Sequence, residues 1–206
     1  MLVQDKNFRQ NNLRFLRQLF FENRVLYLEH QMSSAYLNNP TMPGWTASVP
    51  AVIDQIFYLD ALSNEPIKLV VDSGGGTTAA FMNLIDVMSV ARSPIYTIGR
   101  GLVASAAVPI LAAGELGHRL MFPNTVSMLH MPFGHLEGDA DAIQAQAAEF
   151  NRIKNLYANT LVRLTGRSEA EIKSAMTGET YMTAKQSIDF GLADKLVTNL
   201  GEVFSL

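Results

Sequence analysis

The stretch that decides the fold is Ile67-Lys68-Leu69-Val70-Val71, followed at once by Asp72-Ser73-Gly74-Gly75-Gly76. A near-continuous run of β-forming residues is typical of a strand buried on both faces, so we predict a strand over 67–71 that ends before the glycines. A second strand is predicted over 95–98. Between the two strands, apolar residues recur at helical spacing and predict a helix: Phe81, Leu84, Ile85 and Met88. The order strand, helix, strand is typical of an α/β fold with crossover connections.

The same alternation extends in both directions from this unit. Upstream, the pattern predicts a strand over 24–29, a loop over 36–48, and helices over 13–20 and 49–61. Downstream, it predicts an alanine-rich helix from about residue 104 to 113, strands over 119–122, 126–129 and 195–197, and a long helix between Asp139 and Gly166. Capping-box sequences at 168–171 and 183–186 indicate two further helices.

Composition narrows the class of protein. The chain has 206 residues, and we expect a flexible segment at 1–12 followed by a single domain at 13–206. A net charge of −3 gives no electrostatic reason to expect a nucleic-acid partner. The lack of cysteine excludes disulfides, zinc–thiolate sites and a thiol nucleophile. No signal-like segment opens the chain, and its longest apolar stretch, 102–113, is too short to cross a bilayer, so we expect a cytoplasmic protein without a membrane partner.

Ser105 follows a predicted strand and a glycine-containing turn, at the start of the alanine-rich helix. A serine in this position commonly caps a helix. It can also be a nucleophile, because the oxyanion formed by its attack would lie near backbone N–H groups at the positive end of the helix dipole. The segment alone leaves both interpretations open.

The glycine run at 74–76 has three interpretations. It can be a flexible turn, a phosphate-binding loop, or a backbone oxyanion hole beside an edge on which an extended peptide docks. Neither the P-loop pattern nor the dinucleotide fingerprint is present, which argues against a phosphate site. Glycine runs do not by themselves distinguish the other two interpretations.

The chain has four histidines: His30, His118, His130 and His135. His130 follows a predicted strand and precedes a loop containing proline and glycine, where a histidine is either structural or a general base. His118 is expected in a surface turn and His135 in a polar loop. The spacing of the four does not match a metal site, so we expect no metal and no cofactor.

Four acidic residues are candidates to orient such a histidine: Asp72, Asp86, Glu179 and Asp194. Glu179 precedes a capping box, where a glutamate is usually a solvated loop residue. The pattern by itself does not choose among the four.

Taken in order, these segments resemble the Clp proteolytic subunit (ClpP), a family of serine peptidases, over about residues 24–198. The segments that carry the resemblance are SGGG at 73–76, GLVASAA at 101–107, LAAGELGHR at 111–119, PNTVSMLHMP at 123–132 and TAKQSIDFGLAD at 183–194. The resemblance implies the ClpP/crotonase-like fold, which is an α/β fold of repeated β-β-α units with an outlying handle helix, here at about 134–164.

The resemblance also implies a mechanism. Ser105 would attack the scissile carbonyl, His130 would be its general base, and Glu179 would stand where the family has an aspartate. The backbone N–H groups of Gly76 and Ala106 would hold the oxyanion. Substrate peptide would bind extended, as an added strand. The residues implied to contact it are Thr77, Thr78, Pro132 and Phe133.

Members of this family form heptameric rings that stack in pairs. The resemblance therefore implies self-association into a tetradecamer, with a paralogous subunit or an AAA+ ATPase as further candidate partners. The family usually has tyrosines at the two strand positions that dock its ATPase, and here they are Lys68 and Val70. Because a lysine weakens an apolar pocket, we expect that a standard Clp ATPase does not dock in the standard way. Gly74 also replaces the family's proline, and the loop at 38–48 is longer.

We favour a serine endopeptidase that hydrolyses peptide bonds of unfolded proteins or peptides inside a ring. A second hypothesis is a non-catalytic ring subunit that pairs with an active paralogue. Glu179 and the altered docking strand favour it, although Ser105 and His130 are both present. A third is an enzyme of the enoyl-CoA hydratase type, which shares the broader fold. That group lacks the serine–histidine pair, and no basic cluster for the CoA phosphates is evident.

Overall fold

The computed structural model describes residues 18–32 and 49–203. Seven strands form its sheet: β1 (Val25–Met32), β2 (Ile67–Gly76), β3 (Ile95–Ala104), β4 (Arg119–Met121), β5 (Val126–His130), β6 (Glu179–Thr183) and β7 (Lys195–Leu196). The helices are α1 (Val49–Leu62), α2 (Thr78–Val90), α3 (Ala107–Ala112), α4 (Ala140–Thr165), α5 (Glu169–Ala175) and α6 (Ala184–Phe190), and a 3₁₀ turn spans Leu200–Glu202. The segment at 1–12, the loop at 36–48 and the first part of the helix predicted at 13–20 lie outside the described residues.

The sheet is mostly parallel. Its order is β1-β2-β3-β4-β7. Strand β3 pairs with β4 through residues 97–99 and with β5 through residues 102–104, nearer its C-terminal end. These pairs are all parallel, whereas β5 and β6 are antiparallel. Parallel strands joined through helices confirm the predicted α/β class.

Both faces of the central strands are buried, as the apolar run at 67–71 predicts. Leu69 and Val71 pack with the helices in the larger of two apolar clusters. Val70 lies on the opposite face, in a smaller cluster that includes Ile98 and Val203. Alternate residues of a strand point to opposite faces, so a strand buried on both sides needs apolar residues at successive positions.

Three predicted strands end several residues too early, and the first of them, β1, extends to Met32 instead of residue 29. Strand β2 does not end at residue 71 but continues through the glycines, because β1 pairs with it as far as Met32 opposite Gly76. A Cβ on Gly76 would lie 2.0 Å from the carbonyl oxygen of Met32, so glycine allows the close approach of β1 rather than forming a flexible turn. Strand β3 likewise continues past residue 98, and helix α3 begins at Ala107 instead of about 104.

The predicted helix boundaries at the capping residues were correct. Asp139 caps α4, accepting a hydrogen bond from Ala142 N at 2.9 Å, and Gly166 ends that helix with a φ of 71°. Capping boxes begin α5 at Ser168 and α6 at Thr183.

Helix α4 is buried only near its C-terminal end. Its buried residues are Tyr157, Ala158, Thr160 and Leu161. None of residues 140–154 is buried, and Ile143 on the apolar stripe is 40% exposed. The N-terminal half of α4 therefore extends beyond the core of its own chain. No helix in the described ranges 18–32 and 49–203 is both long and apolar enough to span a membrane.

A buried ion pair joins β4 to the segment before β7. Arg119 is 5% exposed, and its guanidinium contacts the Asp194 carboxylate at 2.5 Å. Burial alone would raise the pKa of Asp194. Hydrogen bonds from Arg119 and from the Gly117 amide outweigh burial, so the pKa of Asp194 is lowered.

We expect Asp194→Asn to lower the free energy of unfolding by about 3–5 kcal/mol at neutral pH, because it leaves the Arg119 charge buried without its partner. The folded-state pKa of Asp194 lies below the unfolded value. Its stabilising effect is therefore present above the unfolded pKa and is lost as pH falls through the folded pKa. Urea unfolding at pH 7 and pH 3 measures this effect. Asp86→Asn, an exposed site on α2, is the control, and an undiminished difference at pH 3 would contradict the prediction.

Candidate active site

Ser105 occupies a tight turn between β3 and α3. Its φ is 54°, in the left-handed region, and Arg24 is the other described non-glycine residue with a positive φ. The Ser105 N–H donates to the Met128 carbonyl on β5 at 2.8 Å, and the Val108 N–H donates to the Ser105 carbonyl at 3.0 Å. Such a conformation costs free energy and persists where surrounding contacts impose it. The turn thus holds the serine side chain in one position.

His130 is the last residue of β5, and its side chain reaches Ser105. The distance from His130 Nε2 to Ser105 Oγ is 2.7 Å. The pairing of Ala104 with Met128 brings the end of β3 beside β5, which sets this distance. A nucleophile and its general base need a contact of this length.

Glu179 lies across the sheet from His130. The two residues are cross-strand partners in the antiparallel pair of β5 and β6. The Glu179 carboxylate accepts a hydrogen bond from the Tyr181 hydroxyl at 2.9 Å, which raises the pKa of Tyr181. Within the described part of the chain, no hydrogen bond joins Glu179 to His130. Strand β6 is missing from the sequence prediction, because five residues next to a capping box carry little periodic signal.

The other three acidic candidates lie elsewhere. Asp72 accepts hydrogen bonds at 3.2 Å from Arg100 Nε and from the Leu102 amide. Asp194 is paired with Arg119, and Asp86 is exposed on α2. Of the four candidates, Glu179 is the one that stands opposite His130.

The glycine run packs directly against Ser105. A Cβ on Gly75 would lie 2.6 Å from Ser105 Cβ and 3.0 Å from Ala106 N, and the φ of Gly75 is 97°. Gly75 is not among the predicted site residues, although it lies in the glycine run at 74–76. Gly76, the predicted oxyanion donor, follows it and pairs with Met32 of β1. Gly75 therefore lies directly against both the Ser105 side chain and the Ala106 amide nitrogen.

The four predicted substrate-binding residues flank this centre on two segments. Thr77 caps α2, and its hydroxyl accepts from Ala80 N at 3.3 Å, whereas Thr78 is the first residue of that helix. Pro132 and Phe133 follow His130. The Phe133 ring is 80% exposed and lies 5.5 Å from the imidazole, centroid to centroid. An exposed ring beside the imidazole can contact a bound peptide.

Two further predictions concern metal binding and the docking of an ATPase. The described residues contain no group of three or more His, Cys, Asp or Glu side chains that could hold a metal ion. The positions predicted to alter ATPase docking, Lys68 and Val70, are 7% and 2% exposed. Desolvation by burial lowers the pKa of Lys68.

Comparisons with known proteins agree on one family. A model of the Clp protease family matches residues 44–200. The ATP-dependent Clp protease proteolytic subunit of Carsonella ruddii (strain PV) is 29% identical over 195 residues, covering 95% of this chain and 94% of the relative. Proteolytic subunit 1 of Mycolicibacterium paratuberculosis is 31% identical over 180 residues, covering 86% and 80%, and proteolytic subunit 2 of Prochlorococcus marinus is 30% identical over 181 residues, covering 87% and 84%.

Proposed function

Because this chain belongs to the Clp protease family, we propose that it is a serine endopeptidase with Ser105 as nucleophile and His130 as general base. The observation that carries the proposal is the 2.7 Å contact between His130 Nε2 and Ser105 Oγ. The left-handed turn at Ser105 supports it, since strained backbone of this kind concentrates at functional sites.

The proposed reaction has two halves. Ser105 Oγ attacks the scissile carbonyl carbon while His130 Nε2 takes the hydroxyl proton. The carbonyl oxygen becomes an oxyanion held by the N–H groups of Gly76 and Ala106. The C–N bond then breaks, and His130 gives its proton to the departing amine. Water, deprotonated by His130, then attacks the acyl carbon, the ester bond to Ser105 Oγ breaks, and His130 returns the proton to Ser105 Oγ.

Glu179 is the proposed third member of the site. We expect Glu179→Gln to lower kcat/KM about 10-fold, because the negative charge that would stabilise protonated His130 is lost. The loss should be no larger, because main-chain pairing with β6 still holds His130 in place. The matched control is Tyr181→Phe, which frees the carboxylate and should not lower the rate. Peptide hydrolysis by the two variants checks this. An unchanged rate in Glu179→Gln would mean that another group orients His130.

The proposed working form is a pair of stacked heptameric rings. Helix α4 supports this proposal because its N-terminal half lies outside the core of the chain and carries exposed apolar side chains. Phe133 and Leu136, in the segment before α4, are 80% and 44% exposed. Large apolar side chains left exposed on a helix and on the segment before it are often covered by another protein.

An ATPase partner is also part of the proposal, because the relatives are named as ATP-dependent. The burial of Lys68 and Val70 supports a docking mode different from the usual one, since neither side chain is open to a partner in the single chain. A paralogous subunit is the alternative partner.

A non-catalytic ring subunit is the second candidate function. The hydrogen bond from the Tyr181 hydroxyl to Glu179 favours it, because that carboxylate is bonded to Tyr181 and not to His130. Retention of both Ser105 and His130 favours the first candidate.

Labelling with a fluorophosphonate, followed by mass spectrometry of the modified peptide, separates the two candidates. An activated serine reacts with this probe whereas an ordinary one does not. We expect a single adduct on Ser105. Absence of an adduct in a folded, assembled protein would overturn the peptidase proposal and favour the non-catalytic subunit.

A further inference from the structure

We propose that Tyr157 is a positioning residue for the oxyanion hole, in which its hydroxyl fixes and polarises the peptide that carries the Ala106 N–H. The inference rests on the proposed function, because it assumes that Ser105 attacks a carbonyl. It adds a residue of helix α4 to a site otherwise built from the ends of strands and from the turn between β3 and α3.

The contact that carries the inference is a hydrogen bond between α4 and the serine turn. The Tyr157 hydroxyl donates to the carbonyl oxygen of Ser105 at 2.9 Å. That carbonyl and the Ala106 N–H belong to one peptide unit. A trans peptide is planar, with its C=O and N–H pointing in opposite directions, so holding the carbonyl also sets the direction of the N–H.

The Tyr157 hydroxyl is the second hydrogen-bond donor to the Ser105 carbonyl. The Val108 N–H donates to the same Ser105 oxygen at 3.0 Å, so this carbonyl accepts two hydrogen bonds. Hydrogen bonds polarise one another along a chain, and donation to a carbonyl strengthens the N–H of the same peptide as a donor. The second donor therefore improves both the direction and the strength of the Ala106 amide toward an oxyanion.

Tyr157 is held firmly enough for this task. The residue is 3% exposed, and its ring packs edge-on against Phe81 with centroids 5.5 Å apart. Burial raises the pKa of Tyr157 above its ordinary value, so the hydroxyl stays a proton donor across the working pH range. Phenylalanine would keep the ring contacts and remove only the O–H.

Tyr157→Phe tests the inference, with Thr97→Val as the matched control. The Thr97 hydroxyl is also buried and donates at 2.7 Å to the carbonyl of Leu111, which lies in α3 and not in the Ser105 turn. For each protein, the experiment measures kcat and KM on a peptide substrate, the rate constant for fluorophosphonate labelling of Ser105, and the pH profile of kcat/KM.

We expect Tyr157→Phe to lower kcat about 10-fold, less than the roughly 100-fold typical of losing an oxyanion donor outright. KM should stay within about twofold, the labelling rate constant should fall by a similar factor to kcat, and the pH profile should keep its midpoint because His130 is untouched. Thr97→Val should keep the wild-type kcat. If Tyr157→Phe fails to fold, Tyr157→Met, a flexible apolar replacement without a hydroxyl, takes its place.

The outcomes distinguish the inference from the proposed function. If the wild type labels at Ser105 and Tyr157→Phe reacts as fast, the inference is wrong and the peptidase proposal stands. An equal loss of rate in Thr97→Val would also overturn it, since the loss of a buried hydroxyl that does not contact Ser105 would then have the same effect. If the wild type itself does not label, the proposed function fails and the inference fails with it.

Discussion

Ser105→Ala is expected to abolish peptidase activity, by a factor on the order of 10⁴ or more, and to leave folding and assembly intact. The variant removes only the hydroxyl, so no acyl-enzyme can form and the His130 proton transfer has no partner. Alanine keeps the Cβ and tolerates the left-handed turn about as poorly as serine, so the backbone strain changes little. Hydrolysis of a fluorogenic peptide measures the loss.

Two comparisons make the Ser105→Ala result specific. Ser89→Ala removes an exposed hydroxyl on α2 and should keep full activity. Thermal unfolding and light scattering should report the same stability and the same particle size for both variants. Turnover that survives in Ser105→Ala would rule out this serine as the nucleophile.

Gly75→Ala has the second largest expected effect. The added Cβ would lie 2.6 Å from Ser105 Cβ and 2.8 Å from the Ala104 carbonyl oxygen, at a φ of 97° that alanine rarely adopts. The serine turn must therefore move. We expect kcat/KM to fall at least about 100-fold, because a displacement of about 1 Å at the reacting atoms is this costly. The free energy of unfolding should fall by about 1–3 kcal/mol.

The neighbouring glycine supplies the control for Gly75→Ala. A Cβ on Gly74 would meet nothing within 4 Å, and Gly74 is exposed. Gly74→Ala should therefore keep nearly wild-type activity. Peptide hydrolysis and urea unfolding of the two variants check the difference. If both variants lose activity alike, flexibility of the whole glycine run matters rather than packing against Ser105.

Local sequence signals predict much of this fold because they report on local physics. The apolar run at 67–71 predicts a strand buried on both faces, and the caps at Asp139 and Gly166 fix the ends of the longest helix. Each signal depends on residues close to one another in the chain, so neither needs knowledge of the tertiary structure.

The missed features depend on contacts between distant segments. Strand β2 runs on to Gly76 because β1, more than 40 residues away, pairs with the glycines. The short strand at Glu179 forms because β5 is available beside it. No pattern within either segment encodes its partner, so propensity alone places a turn and a loop there.

The candidate site likewise contains residues that the sequence predicts and one that it does not. The Ser105 and His130 pair came from a resemblance over ordered motifs, and in the structure the two side chains are within hydrogen-bond distance. The role we propose for Tyr157 has no sequence signal, since a tyrosine on an apolar helix stripe is most often a core residue.

The partial burial of α4 connects a distant surface to the Ser105 turn. Ala140 and Tyr157 are 17 positions apart on this helix, which is about 25 Å at a rise of about 1.5 Å per residue. If the helix moves as a rigid rod, a tilt at its free end reaches the end that touches Ser105. A molecule that binds the exposed N-terminal half of α4 and favours one tilt would change the affinity of the Ser105 site for the transition state by a fixed factor. By thermodynamic reciprocity, a transition-state analogue bound at Ser105 would raise the affinity of α4 for that molecule by the same factor.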